Sequence, residues 1–352
     1  MKYDFTSIID RRGKDAIAVD PPSESPYRSG FDLKPGFDHI PMWIADMNFP
    51  ACPTIPEMMI ERAKHLTYGY FAPREEYFSS IINWHEKRNG VTGLLPEYIG
   101  YENGIWRMDY EDMDRKLKEH DIHAAIFCSP HNPSGRVWER WEIEKAMEVY
   151  AANDVYVISD EIWSDIILTG HKHIPTQSVS EDARSRVIAF YAPSKTFNLA
   201  GLIGSYHVIY NKRLRDRVRK EESLGHYNNM NLMSMYALIG AYKDEGHQWV
   251  DELCETITGN VTYACDFIRE HFKGVELATP QGTYLLYLDC TRWLEEHGKN
   301  MDELLKAGYE VGVDWQDGRA FFKDNTIRMN LALPLSRVKE AFDRLDKYVF
   351  NA

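Results

Sequence analysis

Three polar groups of complementary chemistry each follow an apolar run. Asn132, in Asn132-Pro133-Ser134-Gly135, comes after Ala124–Cys128; Asp160 comes after Val155–Ile158; Lys195 comes after Val187–Tyr191. An amide can donate to a phenolate oxygen, a carboxylate can pair with a protonated ring nitrogen, and an amine can bond an aldehyde. Together they are what an enzyme needs to hold and use a pyridine aldehyde. Lys195 lies in Ala192-Pro193-Ser194-Lys195-Thr196-Phe197-Asn198. A lysine at a strand end amid small and apolar neighbours can be partly desolvated, and desolvation makes an amine a usable nucleophile. Most lysines are solvated surface groups; the partners at neighbouring strand ends single this one out. A carboxylate at a buried strand end, such as Asp160, needs a cationic partner. The competing reading for it is a helix cap. Arg328, in Thr326-Ile327-Arg328-Met329-Asn330-Leu331, alternates with apolar residues and shares a strand side with Thr326 and Asn330. Arginine binds carboxylates bidentately, and the competing reading is an exposed strand arginine in a salt bridge.

Each apolar run reads as a buried strand rich in Val, Ile, Phe and Tyr. Helical patterns over Asp112–Glu119 and Glu139–Asn153 alternate with these strands, and Tyr206–Tyr210 is a further strand. Such alternation predicts a mostly parallel sheet with helices on its faces, and ligands gather at the carboxyl ends of its strands. Leu214–Lys243 reads as mostly helical. Upstream, Pro53–Leu66 and Glu75–Arg88 are amphipathic, separated by the aromatic turn Thr67-Tyr68-Gly69-Tyr70. The last hundred residues predict an α+β domain, with helices at Asn260–Phe272, Met301–Ala307 and Ser336–Phe350 and strands at Val275–Ala278, Thr283–Leu288 and Thr326–Leu331. Residues 1–50, punctuated by Pro21-Pro22, Pro26, Pro35 and Pro41, predict an arm wrapping a surface, because Met42-Trp43-Ile44-Ala45 and Phe49 need burial. The expected division is 1–50 as arm and part of the small domain, 51–245 as the large α/β domain, and 246–352 as the small α+β domain.

Hydrophobic residues make up 44% and charged residues 27% of the 352, the composition of an ordinary globular chain. A formal net charge of -13 argues against nucleic acid and anionic membranes as partners. The five scattered cysteines include no Cys-x-x-Cys, so they read as reduced thiols in a cytoplasmic protein, and no metal site is expected. No signal peptide and no run of about 18 apolar residues is visible, so no membrane span is expected.

The combination resembles the fold-type I pyridoxal 5'-phosphate (PLP) enzymes of the class I and II aminotransferase superfamily, and within them the MalY/PatB-type cystathionine β-lyase (C–S lyase) branch. The stretches that carry the resemblance are Pro41-Met42-Trp43-Ile44-Ala45-Asp46-Met47, Tyr68-Gly69-Tyr70, Cys128 to Gly135, Ser159-Asp160-Glu161-Ile162, Ser194-Lys195-Thr196-Phe197-Asn198 and Arg328-Met329-Asn330. It spans nearly the whole chain. It implies a PLP-dependent transferase-like α/β large domain and a β-elimination on cystathionine or related cysteine S-conjugates, giving thiol, pyruvate and ammonia. An aminotransferase and a non-catalytic or regulatory relative are the alternatives. The resemblance further implies that Lys195 bonds the cofactor and later carries the proton. Asp160 would pair with the pyridine nitrogen, Asn132 would bond the ring oxygen, and Ser194 would bind the phosphate. Arg328 would take the substrate α-carboxylate, and Tyr70 would reach the phosphate of a partner subunit's cofactor in a homodimer with shared sites. Trp163 stands where many relatives carry a Tyr, three residues after the Asp. Relatives also have several dozen more residues between the stretches resembling Tyr98–Gly104 and Ile105–Met113. The resemblance therefore implies an internal deletion after Gly104, in the part that supplies a phosphate-cradling loop and a ring-stacking aromatic.

Overall fold

The computed structural model describes residues 2–14, 16–20, 33–65, 76–77, 79–80, 84, 87–88, 100–102, 105–202, 204–224 and 230–351. In chain order the strands are Ile40–Pro41 (β1), Gly100–Glu102 (β2), Ile105–Arg107 (β3), Ala124–Cys128 (β4), Tyr156–Asp160 (β5) and Val187–Tyr191 (β6). Tyr206–Val208 (β7), Glu276–Leu277 (β8), Leu285–Asp289 (β9), Val313–Asp314 (β10), Gln316–Asp317 (β11) and Thr326–Asn330 (β12) follow. The chain divides into two compact units. One comprises residues 1–50, 133–135 and 253–352, the other residues 51–132 and 136–252.

The second unit is built on a sheet of order β4-β5-β6-β7. β4, β5 and β6 run parallel and β7 runs antiparallel to β6. This is the mostly parallel sheet expected of an α/β unit. Helix Tyr110–Glu119 precedes β4, and Arg140–Ala152 lies between β4 and β5, as a parallel crossover requires. Asp109 caps the first by accepting from the Asp112 N–H, and Glu139 with Glu142 closes a capping box on the second. Their apolar residues Met113, Leu117, Ile143, Ala146, Met147 and Tyr150 join Phe127, Val157 and Ala189 of the sheet in one buried cluster.

Three expectations are corrected here. β5 continues to Asp160, two residues past the apolar run, because the ladder pairs Cys128 with Asp160 regardless of side-chain polarity. β7 stops at Val208 and not at Tyr210. β4 is not buried on both faces: Ala125 and Phe127 are, while Ile126 is 67% exposed. That alternation belongs to a sheet with one face on the helices.

β2 and β3 form an antiparallel hairpin in which Gly100 pairs with Arg107 and Glu102 with Ile105. The two residues between them, Asn103-Gly104, lie outside the described residues. The hairpin is anchored by charge. Glu142, fully buried, accepts from Arg107 at 2.7 Å and from Arg136 at 2.5 Å, and Arg136 Nε also donates to the Trp106 carbonyl.

The other unit carries the antiparallel sheet β11-β12-β9-β8, with helices Thr291–His297, Met301–Glu310 and Leu335–Leu345. The arm lies in this unit. Met42, Trp43 and Phe49 are buried, and β1 pairs in parallel with β10. Asn330 at the end of β12 holds it: its Nδ2 donates to the Ile44 and Asp46 carbonyls at 2.7 and 2.8 Å, and its backbone N–H donates to Met42. Gly135 requires its residue type. Its φ is +68°, and a Cβ there would come within 2.7 Å of Pro280 and 2.9 Å of the Gly282 carbonyl.

Candidate active site

The register of the parallel sheet sets the site. Cys128, Asp160 and Phe190 are mutual partners across β4, β5 and β6, so the three strands end level. The ladder runs one step further: Ser129 N–H donates to the Asp160 carbonyl and Glu161 N–H to the Phe190 carbonyl, each at 3.0 Å. Segments 129–132, 161–163 and 192–195 therefore leave the sheet along one edge, the carboxyl edge, where this class of fold binds ligands. Asn132, Asp160, Trp163, Ser194 and Lys195 all belong to this unit.

Lys195 sits on a single helical turn, Pro193–Thr196, begun by a proline at its first position. The turn closes by bonds from Phe197 N–H to Pro193 and from Leu199 N–H to Ser194, with Asn198 in the left-handed region at φ +56°. Lys195 is partly buried. Its Nζ stands 5.8 Å from the centroid of the Trp163 ring, which is itself buried. Ser194 is partly buried too.

Asp160 is a strand-end carboxylate whose burial raises its pKa. The Ile162 N–H, which donates to Oδ1 at 3.1 Å, and the Lys195 charge both oppose that shift. Next to it, the Cys128 thiol is pushed up to about 12 by burial, so it remains protonated and unreactive. His131, beside Asn132, is driven down to about 4 by burial and is a neutral imidazole at pH 7. All five cysteines are free.

Two acidic residues beyond the expected set hold this edge in shape. Glu161 is fully buried and accepts from Ser159 Oγ (2.6 Å), Thr176 Oγ1 (2.6 Å) and Tyr191 OH (2.9 Å), with His173 Nε2 at 2.8 Å. Asp165 accepts from Trp84 Nε1 and Thr196 Oγ1, each at 3.0 Å. Two adjacent acids followed by a third within five residues was the available signal. Their partners, up to 81 residues distant in sequence, were not.

Arg328 belongs to the other unit, in the middle of β12, all five residues of which are buried. Its Nη2 donates to the Trp43 carbonyl at 3.3 Å and to the Gln316 side-chain oxygen, and its guanidinium lies 4.7 Å from the Phe321 ring centroid. The expected exposed strand arginine is thereby excluded. Burial lowers its pKa to about 10, which leaves it cationic at neutral pH. Tyr70, expected at a partner's phosphate, lies outside the described residues, as does Gly104. Among the described residues no helix is long and apolar enough to cross a membrane.

Comparison with known proteins gives one consistent pattern. The family profile "Aminotransferase class I and II" matches residues 75–345. Cystathionine beta-lyase PatB of Bacillus subtilis (strain 168) is 29% identical over 360 aligned positions, covering 88% of this chain and 92% of PatB. Protein MalY of Escherichia coli (strain K12) is 26% identical over 399 positions, covering 96% of each chain. Among solved structures, the PLP-bound C–S lyase of Staphylococcus hominis superposes with a TM-score of 0.85 at 25% identity, covering 99% of this chain and 98% of that one.

Proposed function

This chain belongs to the class I and II aminotransferase family, whose members depend on PLP, and from that premise we propose that it is a carbon–sulfur lyase. The reaction is β-elimination on cystathionine or a related cysteine S-conjugate, yielding a thiol, pyruvate and ammonia. The observation that carries the reading is the level ending of β4, β5 and β6, which brings an amide, a carboxylate and an amine to one edge. The cystathionine β-lyase relative points the same way.

The residues present suit PLP. A carboxylate kept at a buried strand end, with burial working against its charge, calls for a cation facing it. A protonated pyridine nitrogen is one. When bound, PLP supplies the electron sink for the charge left as the α-proton departs, and a thiolate, with a thiol pKa of about 8.5, is a tolerable leaving group.

The protein's own groups divide the remaining work. Asp160 would keep the ring nitrogen protonated, and Asn132 would donate to the ring oxygen. The Lys195 amine would hold the cofactor covalently and, when free, would take the α-proton at Nζ. The Trp163 ring bounds the space in which that amine moves. Ser194 donates to the phosphate. Arg328 orients the substrate by its α-carboxylate, for which its planar fork of donors is suited. Tyr70 reaches the phosphate in the second subunit of a homodimer, and the protein works in the cytoplasm.

The test is pyruvate release from cystathionine by the purified protein supplied with PLP. Turnover that is absent from a Lys195→Ala control supports the reading. Turnover that requires an added keto acid would replace it with an aminotransferase.

A second reading concerns affinity. The 360 positions aligned to PatB take up only 88% of this 352-residue chain, so PatB carries residues that this chain lacks. On this reading the missing residues fall at the β2–β3 hairpin, after Gly104. On this reading PLP binds weakly because part of its phosphate grip is missing. A visible absorbance titration with PLP measures this, and tight stoichiometric binding would refute it.

A further inference from the structure

The turn that follows Asp160 does more than present that carboxylate. Ser164 N–H bonds to the Glu161 carbonyl and Ile166 N–H to the Trp163 carbonyl, each at 3.0 Å, which winds the segment tightly. It meets the Lys195 helix in two places. The Trp163 ring faces the Lys195 amine. Two residues later, Asp165 Oδ2 accepts from Thr196 Oγ1 at 3.0 Å. Thr196 is fully buried and directly follows Lys195. Asp165 is itself fixed, because Oδ1 accepts from Trp84 Nε1 at 3.0 Å and Arg88 Nε stands 3.7 Å from the same oxygen. Trp84 in turn stacks on Tyr242 and His247, with centroids 4.5 and 4.3 Å away.

A helix of four residues cannot hold its own orientation, since isolated helices need a dozen or more residues to be even marginally stable. An external tie must set it, and a hydroxyl bonded to a buried carboxylate is a strong one. We propose that Asp165, acting through Thr196, is a positioning residue that aims the Lys195 amine. The proposal rests on the role given to Lys195 above and adds the device that orients it.

The test uses the full-length protein freed of cofactor and then given PLP alone, with no amino-acid substrate. Covalent capture at Lys195 is trapped by borohydride and followed by the mass of the Lys195 peptide. Visible circular dichroism reads the orientation of the bound cofactor. Thr196→Val removes the hydroxyl and keeps the shape, leaving the Trp84 and Arg88 contacts of Asp165 in place. It is expected to slow capture about tenfold and to at least halve the dichroism, since misplacement by an ångström costs orders of magnitude in rate. Thr196→Ser is expected to restore both. Asp165→Asn, which keeps an acceptor for Trp84, provides a second perturbation of the same tie and is expected to slow capture as well.

Wild-type capture and dichroism in Thr196→Val would overturn the proposal, as would failure of Thr196→Ser to recover them. A wild-type protein that never captures PLP at Lys195 overturns it together with the assigned role of Lys195. A wild type that captures PLP and releases no pyruvate refutes the lyase reading alone, and a slow Thr196→Val then still supports the positioning role.

Discussion

Lys195 stands to Asp160 as a charge that works against burial: desolvation raises the carboxyl pKa, and the nearby ammonium pulls it back without cancelling the shift. Both groups come from level strand ends, β5 directly and β6 by way of one helical turn. The pair carries an internal tension that a cationic ring between strand ends would relieve.

That tension has a pH signature in the cofactor-free protein. An acid whose folded pKa is raised costs nothing below its unfolded pKa, about 3.9, and costs progressively more as pH rises through the folded value. Asp160→Asn removes the cost while leaving an acceptor for the Ile162 N–H. Thermal unfolding should show the variant melting higher than wild type at pH 7, with the two curves converging near pH 3. A variant that melts lower at pH 7 would mean that the Lys195 attraction outweighs desolvation. The same variant should bind PLP more weakly, by tenfold or more on the scale of about 1.4 kcal/mol per decade.

Glu161 should matter to stability far more than its place beside Asp160 suggests. Glu161→Ala leaves donors on Ser159, Thr176 and Tyr191 and the His173 ring facing a void. Removing one member of a buried polar network of this kind costs about 3–5 kcal/mol. Denaturant titration should show the midpoint falling with the slope unchanged. A loss below about 1 kcal/mol would show that water replaces the carboxylate there.

Arg328 is expected to act on substrate and not on cofactor. Arg328→Ala should raise KM for cystathionine by about a hundredfold, the usual consequence of losing a charge-assisted carboxylate contact. The absorbance of bound PLP should not change. Arg328→Lys should recover only part of the loss, because a point charge cannot reproduce the bidentate fork.

How much of this site could be read in the sequence depends on range. β4 and β6 are uninterrupted apolar runs, and their boundaries match the structure residue for residue. β5 was cut short because Ser159 and Asp160 look like the end of a strand, although backbone pairing carries on through them. The helix Asp244–His271 was legible only over its second half. Its first turns begin in a polar stretch without a strong apolar period, and packing rather than propensity extends it. Thr291–His297 is too short to show a period and was not foreseen. The roles of Glu161, Asp165 and Thr196 depend on partners that only the fold brings near. Arg328 was found by alternation, yet alternation predicts one exposed side, and β12 has none.

Gly135 offers a simple check on the first unit. Gly135→Ala places a Cβ against Pro280 and the Gly282 carbonyl at a left-handed φ, a combination of strain and overlap worth about 2–3 kcal/mol. Its carbonyl accepts from both Gln281 and Gly282 N–H groups, so backbone cannot easily retreat. A melting temperature within a degree of wild type would show that this turn shifts freely.

The hold of Asn330 on Ile44 and Asp46 also fixes an order of events in the cell. The arm leaves the ribosome long before β12, and the side chain that fastens it is made more than 280 residues later, at sequence separations of 286 and 284. At roughly 5–20 residues per second, synthesis takes about a quarter of a minute to a full minute to deliver it. For that time the Met42 and Trp43 carbonyls lack their donors on β12, Asn330 N–H and Arg328 Nη2. The nascent chain must therefore spend its youth with apolar residues in reach of any chaperone that can hold them.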